Sequence, residues 1–186
     1  SMPEEINRIL TDTVCSHLFT PSEDADAQLL KEGVEQSRIY RVGNIMIDSL
    51  CSNYHKSEAM KIIEELDLKE RKFVYLTLHR PSNVDSKDSL SRIVNVIQEL
   101  SEKIPIVWTL HPRTRNRLQE FKIKPDGEQL KIVDPLSYTQ SLACASMARL
   151  VVTDSGGLQE ETTFFNTPCL TLRDNTERPI TVTIGS

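Results

Sequence analysis

Two hydrophobic rhythms trade places along this chain. Short runs rich in β-branched and aromatic residues give way to longer stretches with apolar positions three and four apart. The first helix is predicted from Pro3-Glu4-Glu5, with Pro early and acids in the first turn; Ile6, Ile9, Leu10 and Val14 follow along one side. His17-Leu18-Phe19-Thr20 reads as a short strand, Ser22 as the cap of a helix to about Gly33, and residues 38–42 as a strand ending at Gly43-Asn44. Two helices are expected over about 45–53 and 56–68, the second with Ala59, Ile62, Ile63 and Leu66 inward.

From Lys72 the alternation tightens. Strands are predicted over 73–78, 105–110, 131–134, 149–153 and 168–172, and helices over 85–102, 113–121, 137–147, 155–165 and from about 176. The helix over 85–102 turns Leu90, Ile93, Val94, Ile97 and Leu100 to one face. Strands separated by helices of this length predict parallel βαβ units, hence an α/β fold with a doubly wound parallel sheet. Before residue 44 there are about two βα units, too few for a domain; after residue 56 there are enough strands for a complete one. Residues 1–43 are therefore expected to be the tail of one domain and 44–56 a linker. Residues 57–186 are expected to form a second domain that stops before its final helix.

Charge and composition then remove whole classes of function. With 27 acidic against 22 basic residues and a net charge of −5, the chain has no basic footprint for nucleic acid or acidic lipid. No apolar run approaches a membrane span, and the opening Ser1-Met2-Pro3-Glu4-Glu5 has no signal-peptide character. A cytoplasmic protein is expected. Six glycines fall in no arrangement that makes a dinucleotide fingerprint or a P-loop. Four cysteines without a C-x-x-C and four histidines without an H-E-x-x-H predict reduced buried thiols and no metal.

In an open α/β sheet, ligands bind beyond the carboxyl ends of the strands. The predicted ends carry His79-Arg80-Pro81-Ser82-Asn83, His111-Pro112-Arg113, Ser137-Tyr138, Asp154-Ser155-Gly156-Gly157 and Arg173-Asp174-Asn175-Thr176-Glu177-Arg178-Pro179. A strand feeding Ser-Gly-Gly into a helix start lets backbone N–H groups and the positive helix end meet an anion. The same letters also describe an ordinary capped turn, with Ser155 as N-cap. Glu160 and Glu161 could accept from ribose hydroxyls or stand as solvated surface acids. His79 beside Arg80 is either a titratable group next to a cation or a structural histidine. Arg178 could reach a diphosphate or open a surface helix, and Glu4 with Arg8 forms an i, i+4 pair on one helix face.

Taken in order, Pro3-Glu4-Glu5-Ile6-Asn7-Arg8, Gly43-Asn44, His79-Arg80, Asp154-Ser155-Gly156-Gly157-Leu158-Gln159-Glu160-Glu161 and Thr176-Glu177-Arg178-Pro179 resemble the non-hydrolysing UDP-N-acetylglucosamine 2-epimerase family. The resemblance runs along essentially the whole chain. It implies a two-domain fold of the glycosyltransferase-B type, with the active site between two Rossmann-like domains; this chain would be the second, UDP-binding domain plus the end of the first. The activity implied is inversion at C2 of UDP-N-acetylglucosamine to UDP-N-acetylmannosamine, by elimination of UDP to a 2-acetamidoglucal and its re-addition, with no redox cofactor. A homodimer of the full-length protein is implied as well. By the same resemblance Glu4 and His79 are catalytic and Arg8 faces the sugar. Arg80 stands beside His79 on the substrate side, and His111 is on the nucleotide side. Ser155, Gly156 and Gly157 hold phosphate oxygens, Glu161 meets the ribose and Arg178 the diphosphate. The chain departs from the family at Pro81-Ser82, where Arg-Glu is frequent, and at Ser141, where an aromatic is frequent. Two readings stay open beside it: a UDP-sugar glycosyltransferase with the same donor-side domain, and a non-catalytic nucleotide-binding domain.

Overall fold

Successive residues of residues 73–78 point to opposite faces of a sheet, as strand geometry requires, and each face meets its own layer of helices. In the computed structural model, residues 3–176 and 181–182 are described, with side chains from Glu5 onward. The elements run α1 (Pro3–Val14), β1 (Leu18–Thr20), α2 (Glu23–Lys31), β2 (Ile39–Arg41), α3 (Ile45–Asn53), α4 (Lys56–Glu65), β3 (Val74–Thr77) and α5 (Pro81–Val84). They continue with α6 (Lys87–Ser101), β4 (Ile106–Thr109), α7 (Pro112–Glu120), β5 (Leu130–Val133), α8 (Tyr138–Met147), β6 (Leu150–Thr153), α9 (Gly156–Phe165) and β7 (Cys169–Thr171).

The chain divides into two compact units, Ser1–Ser49 and Leu50–Ser186. In the first, β1 and β2 pair in parallel with Leu18 opposite Ile39, and Leu18, Leu29 and Ile39 form a small core. The apolar stripe predicted along the first helix is there, but Ile6, Ile9, Leu10 and Val14 are 47–81% exposed. The segment expected as a linker is largely helical, since α3 fills Ile45–Asn53.

The second unit is a five-stranded parallel sheet in the order β5-β4-β3-β6-β7. Phe73, Tyr75, Val107 and Val151 pack with Ala59 and Ile63 of α4, Ala143 and Met147 of α8 and Leu158 of α9. Val74, Leu76, Ile106 and Trp108 pack on the opposite face with Leu90, Val94 and Ile97 of α6 and Leu118 of α7. Helices on both faces explain why the strands read as nearly unbroken apolar runs rather than alternating ones. The α/β doubly wound parallel architecture is the one the pattern predicts.

Local chemistry sets the helix ends. Ser137 and Gln140 form a reciprocal capping box at the start of α8, Ser86 caps α6, and Asn166 closes α9 in the left-handed region at φ 52°. The helix expected over 85–102 is preceded by an unforeseen turn of helix, α5, because Pro81 at its first position presets a helical φ. The helix expected from about 176 falls mostly outside the described residues. All four cysteines are free. Cys144 is buried as expected, whereas Cys51 is exposed on α3, so burial does not extend to every thiol.

Candidate functional site

Parallel strands put all their carboxyl ends on one edge, and the order β5-β4-β3-β6-β7 reverses direction between β3 and β6. At such a reversal the helices leave to opposite faces and open a crevice, the usual ligand position of this fold. Thr77 and Thr153 are the last register pair of these two strands, with hydroxyls 2.8 Å apart. The Thr153 hydroxyl also accepts from the Ser155 N–H at 3.0 Å.

One residue further on, the side chain of Asp154 is fully buried. Its carboxylate accepts from the backbone N–H of His79 (3.0 Å) and of Arg80 (2.8 Å), from the Asn83 amide (2.9 Å) and from His79 Nδ1 (2.9 Å). Burial alone would raise its pKa; the hydrogen bonds from His79, Asn83 and the two backbone amides outweigh burial and hold it below its ordinary value. The sequence offered Asp154 only as a letter before Ser155, yet it ties the end of β3 to the end of β6. Asn83, which also donates to the Leu172 carbonyl, brings in the segment after β7.

His79 leaves 38% of its side chain exposed and lies 5.3 Å, centroid to centroid, from the ring of His111. His111 is the N-cap of α7, its Nδ1 accepting from the Arg113 N–H at 3.1 Å. Partial burial, the nearby His79 and Arg113 depress its pKa, against the pull of Asp154.

Ser155 caps α9, its hydroxyl accepting from the Leu158 N–H. The capped-turn reading of these letters is therefore realised, and it does not displace the anion reading. The amides of Gly156 and Gly157, in the first turn of a ten-residue helix, make no hydrogen bond among the described residues. They are the donors a helix N-terminus offers to an anion. Glu161, on the same helix, is 6% exposed. The solvated-acid alternative fails for it: burial pushes its carboxyl up to about 7, with Glu160 adding to this and a hydrogen bond from Tyr138 opposing it. Gln159, to which the sequence assigned no role, is buried and donates to Thr171 (2.7 Å) while accepting from Thr176 (2.8 Å). It fixes the chain leaving β7 against α9.

Of the residues singled out from the sequence, His79, Arg80, His111, Ser155, Gly156, Gly157 and Glu161 all follow β3, β4 and β6 of this one sheet. Arg80 donates its N–H to Asp154 and its Nε to the Asp154 carbonyl. Arg8 belongs to the other unit, where Glu5, Asp12 and Glu32 surround its guanidinium at 2.7 Å each. Glu4 lies in α1, but its side chain is outside the described residues, as is the whole of Arg178. Arg113, read from the sequence as part of a solvated charge run, is exposed but clamped with Arg117 on Asp85, whose carboxyl is held at about 2 by Arg113 first and Arg117 second. Among the described residues no cluster of His, Cys, Asp or Glu could hold a metal, and no helix is long and apolar enough to cross a membrane.

Residues 1–186 match the family described as UDP-N-acetylglucosamine 2-epimerase. The UDP-N-acetylglucosamine 2-epimerase of Methanocaldococcus jannaschii is 43% identical over 195 residues, a match that takes in 100% of this chain and 53% of that protein. The UDP-2,3-diacetamido-2,3-dideoxy-D-glucuronate 2-epimerase of Pseudomonas aeruginosa is 38% identical, covering 100% of this chain and 51% of the relative. A crystal structure of the Methanocaldococcus jannaschii enzyme in complex with UDP-GlcNAc and UDP superimposes with a TM-score of 0.85 at 42% identity, over 99% of this chain and 52% of that one. The chain thus spans about half the length of the curated relatives it matches.

Proposed function

The chain belongs to the UDP-N-acetylglucosamine 2-epimerase family, and from that premise we propose that the intact protein interconverts UDP-N-acetylglucosamine and UDP-N-acetylmannosamine. The bond from C1 to the diphosphate oxygen breaks as C2 loses its proton, leaving free UDP and a 2-acetamidoglucal. UDP then adds back after a proton has returned to C2 from the other face.

The observation that carries this reading is the pair of amides of Gly156 and Gly157 at the sheet's reversal point, just after Asp154, which binds His79. Charge grows on the leaving diphosphate as C1–O breaks, and preorganised donors aimed at it lower the barrier. Arg178, by resemblance, adds a guanidinium to the same diphosphate. Glu161 is suited to accept from the ribose hydroxyls. Glu4 is the one carboxylate of this chain assigned to proton movement at C2; Arg8 faces the sugar and His111 the nucleotide. On the same reading, residues 1–43 are the tail of a first Rossmann-like domain and 57–186 the UDP-binding domain. The intact protein is then a cytoplasmic homodimer with no nucleic-acid or membrane partner.

The test is a proton NMR time course of the full-length protein with either nucleotide sugar. Both should approach one mixture of the two epimers with no acceptor added. No interconversion, or sugar transfer that appears only with an acceptor, would overturn the epimerase reading; the latter would point to a glycosyltransferase. The Pseudomonas aeruginosa relative is named for a UDP-diacetamido-glucuronate, so that substrate belongs in the same assay. Turnover of it alone would keep inversion at C2 and change the sugar. The 186-residue chain by itself is expected to bind UDP weakly and not to epimerise, and robust turnover by it would contradict the assignment of most proton-transferring acids to the rest of the protein.

A further inference from the structure

Two imidazoles stand on the carboxyl edge of the sheet, His79 after β3 at the reversal and His111 after the neighbouring β4, and their fixed partners give them opposite hydrogen-bonding character. Asp154 is fully buried and meets four donors: two backbone amides, the Asn83 amide and His79 Nδ1. A carboxylate offers about four lone-pair sites and, when ionised, can only accept. The nitrogen facing it must therefore carry the proton, which leaves Nε2 of a neutral His79 as an acceptor on the exposed side of the ring. His111 is held the other way. Its Nδ1 accepts from the Arg113 N–H, so a neutral ring carries its proton on Nε2 and presents a donor. The two rings are 5.3 Å apart and tilted by 36°.

We propose that Asp154 is a positioning residue which locks His79 as the Nδ1–H tautomer, so that the pair His79 and His111 presents one hydrogen-bond acceptor and one hydrogen-bond donor, side by side, to the bound nucleotide sugar. The proposal rests on the epimerase reading for its catalytic consequence but not for its tautomers. His79 Nε2 accepts a hydrogen bond from a hydroxyl of the bound nucleotide sugar, and His111 Nε2–H donates to the diphosphate, with no proton transferred at either ring. Asp154 touches no reacting atom. It acts by forbidding the tautomer in which His79 would point a second N–H at the same place.

The experiment is long-range proton–nitrogen correlation NMR on the full-length protein labelled with 15N-histidine, at pH 8, with resonances assigned through His79→Gln and His111→Gln. Nδ1–H at His79 together with Nε2–H at His111 is the expected result. Nε2–H, or an averaged mixture, at His79 would overturn the proposal whatever the activity. In Asp154→Asn the side-chain amide can turn its N–H toward the ring, and His79 should switch to Nε2–H. The kcat should then fall about 100-fold or more, while KM for the nucleotide sugar stays within about threefold, by analogy with the wrong-tautomer effect in hydrolase triads. A switched tautomer with undiminished kcat would overturn the positioning role. If Asp154→Asn does not fold, the wild-type tautomers decide alone. The stated tautomers in a protein without epimerase activity would sink the functional reading and leave the tautomer assignment standing.

Discussion

Glu161→Gln should make the unliganded protein more stable at pH 8 and less able to hold UDP. The carboxyl is 6% exposed, and burial raises it from an ordinary 4.5 to about 7. Below pH 4.5 the group is neutral in both folded and unfolded chains, and its stabilising contribution is fully present. As pH rises toward 7, the unfolded chain has already lost the proton that the folded one keeps, so stability drains away until the folded group ionises too. At about 1.4 kcal/mol per pH decade, the interval corresponds to roughly 3 kcal/mol. Gln has nearly the same shape and cannot ionise, so it should recover most of that amount above pH 7 and none at pH 4. Urea unfolding of both proteins from pH 4 to 8 checks this; curves that stay parallel would contradict it. If the ionised carboxylate accepts from the ribose, the same change should weaken UDP binding by about 10–100-fold, the span of a hydrogen bond to a charged group. Stability gained where binding is lost marks a group retained for its ligand rather than for the fold.

His79→Gln should divide the two properties in the opposite way. The side chain is 38% exposed, and Asp154 keeps its backbone and Asn83 donors when the imidazole goes. The loss of stability should stay near 1 kcal/mol, that of one hydrogen bond. The kcat of the full-length protein should fall about 10²–10³-fold, the scale for removing one preorganised hydrogen bond at a reacting site. Steady-state rates and thermal unfolding of the same preparation decide it. A comparable loss in both, or in stability alone, would make His79 a structural residue.

The strands and helices were legible because each carries its own period, and five apolar runs spaced by amphipathic stretches leave little choice of class. The strand-end residues were legible for the same reason: parallel strands share an edge, so His79, His111 and Ser155 had to share it too. Strand order was not legible. The reversal between β3 and β6 depends on α8 crossing to the face opposite α6 and α7, which no local pattern records. Asp154 escaped notice because its donors are 71–75 positions away, and a single Asp before a Ser looks like any polar loop residue. Arg8 shows the same limit in miniature. The i, i+4 rule offered Glu4 as its partner, yet one of the acids it meets, Glu32, is 24 positions distant. Along α1, the spacing of Ile6, Ile9, Leu10 and Val14 gave a helix and an apolar face; that the face stands exposed in this chain depends on packing, not period.

The proposed activity requires a nucleoside diphosphate on the first turn of α9, at the reversal of the sheet. Titrating UDP into 15N-labelled full-length protein and following the backbone amides tests it most directly. The largest shifts are predicted at Gly156 and Gly157, whose N–H groups make no hydrogen bond among the described residues, with smaller ones at Ser155, His79 and Arg80. UDP that binds while the Gly156 and Gly157 amides stay unmoved would place the diphosphate elsewhere on the protein.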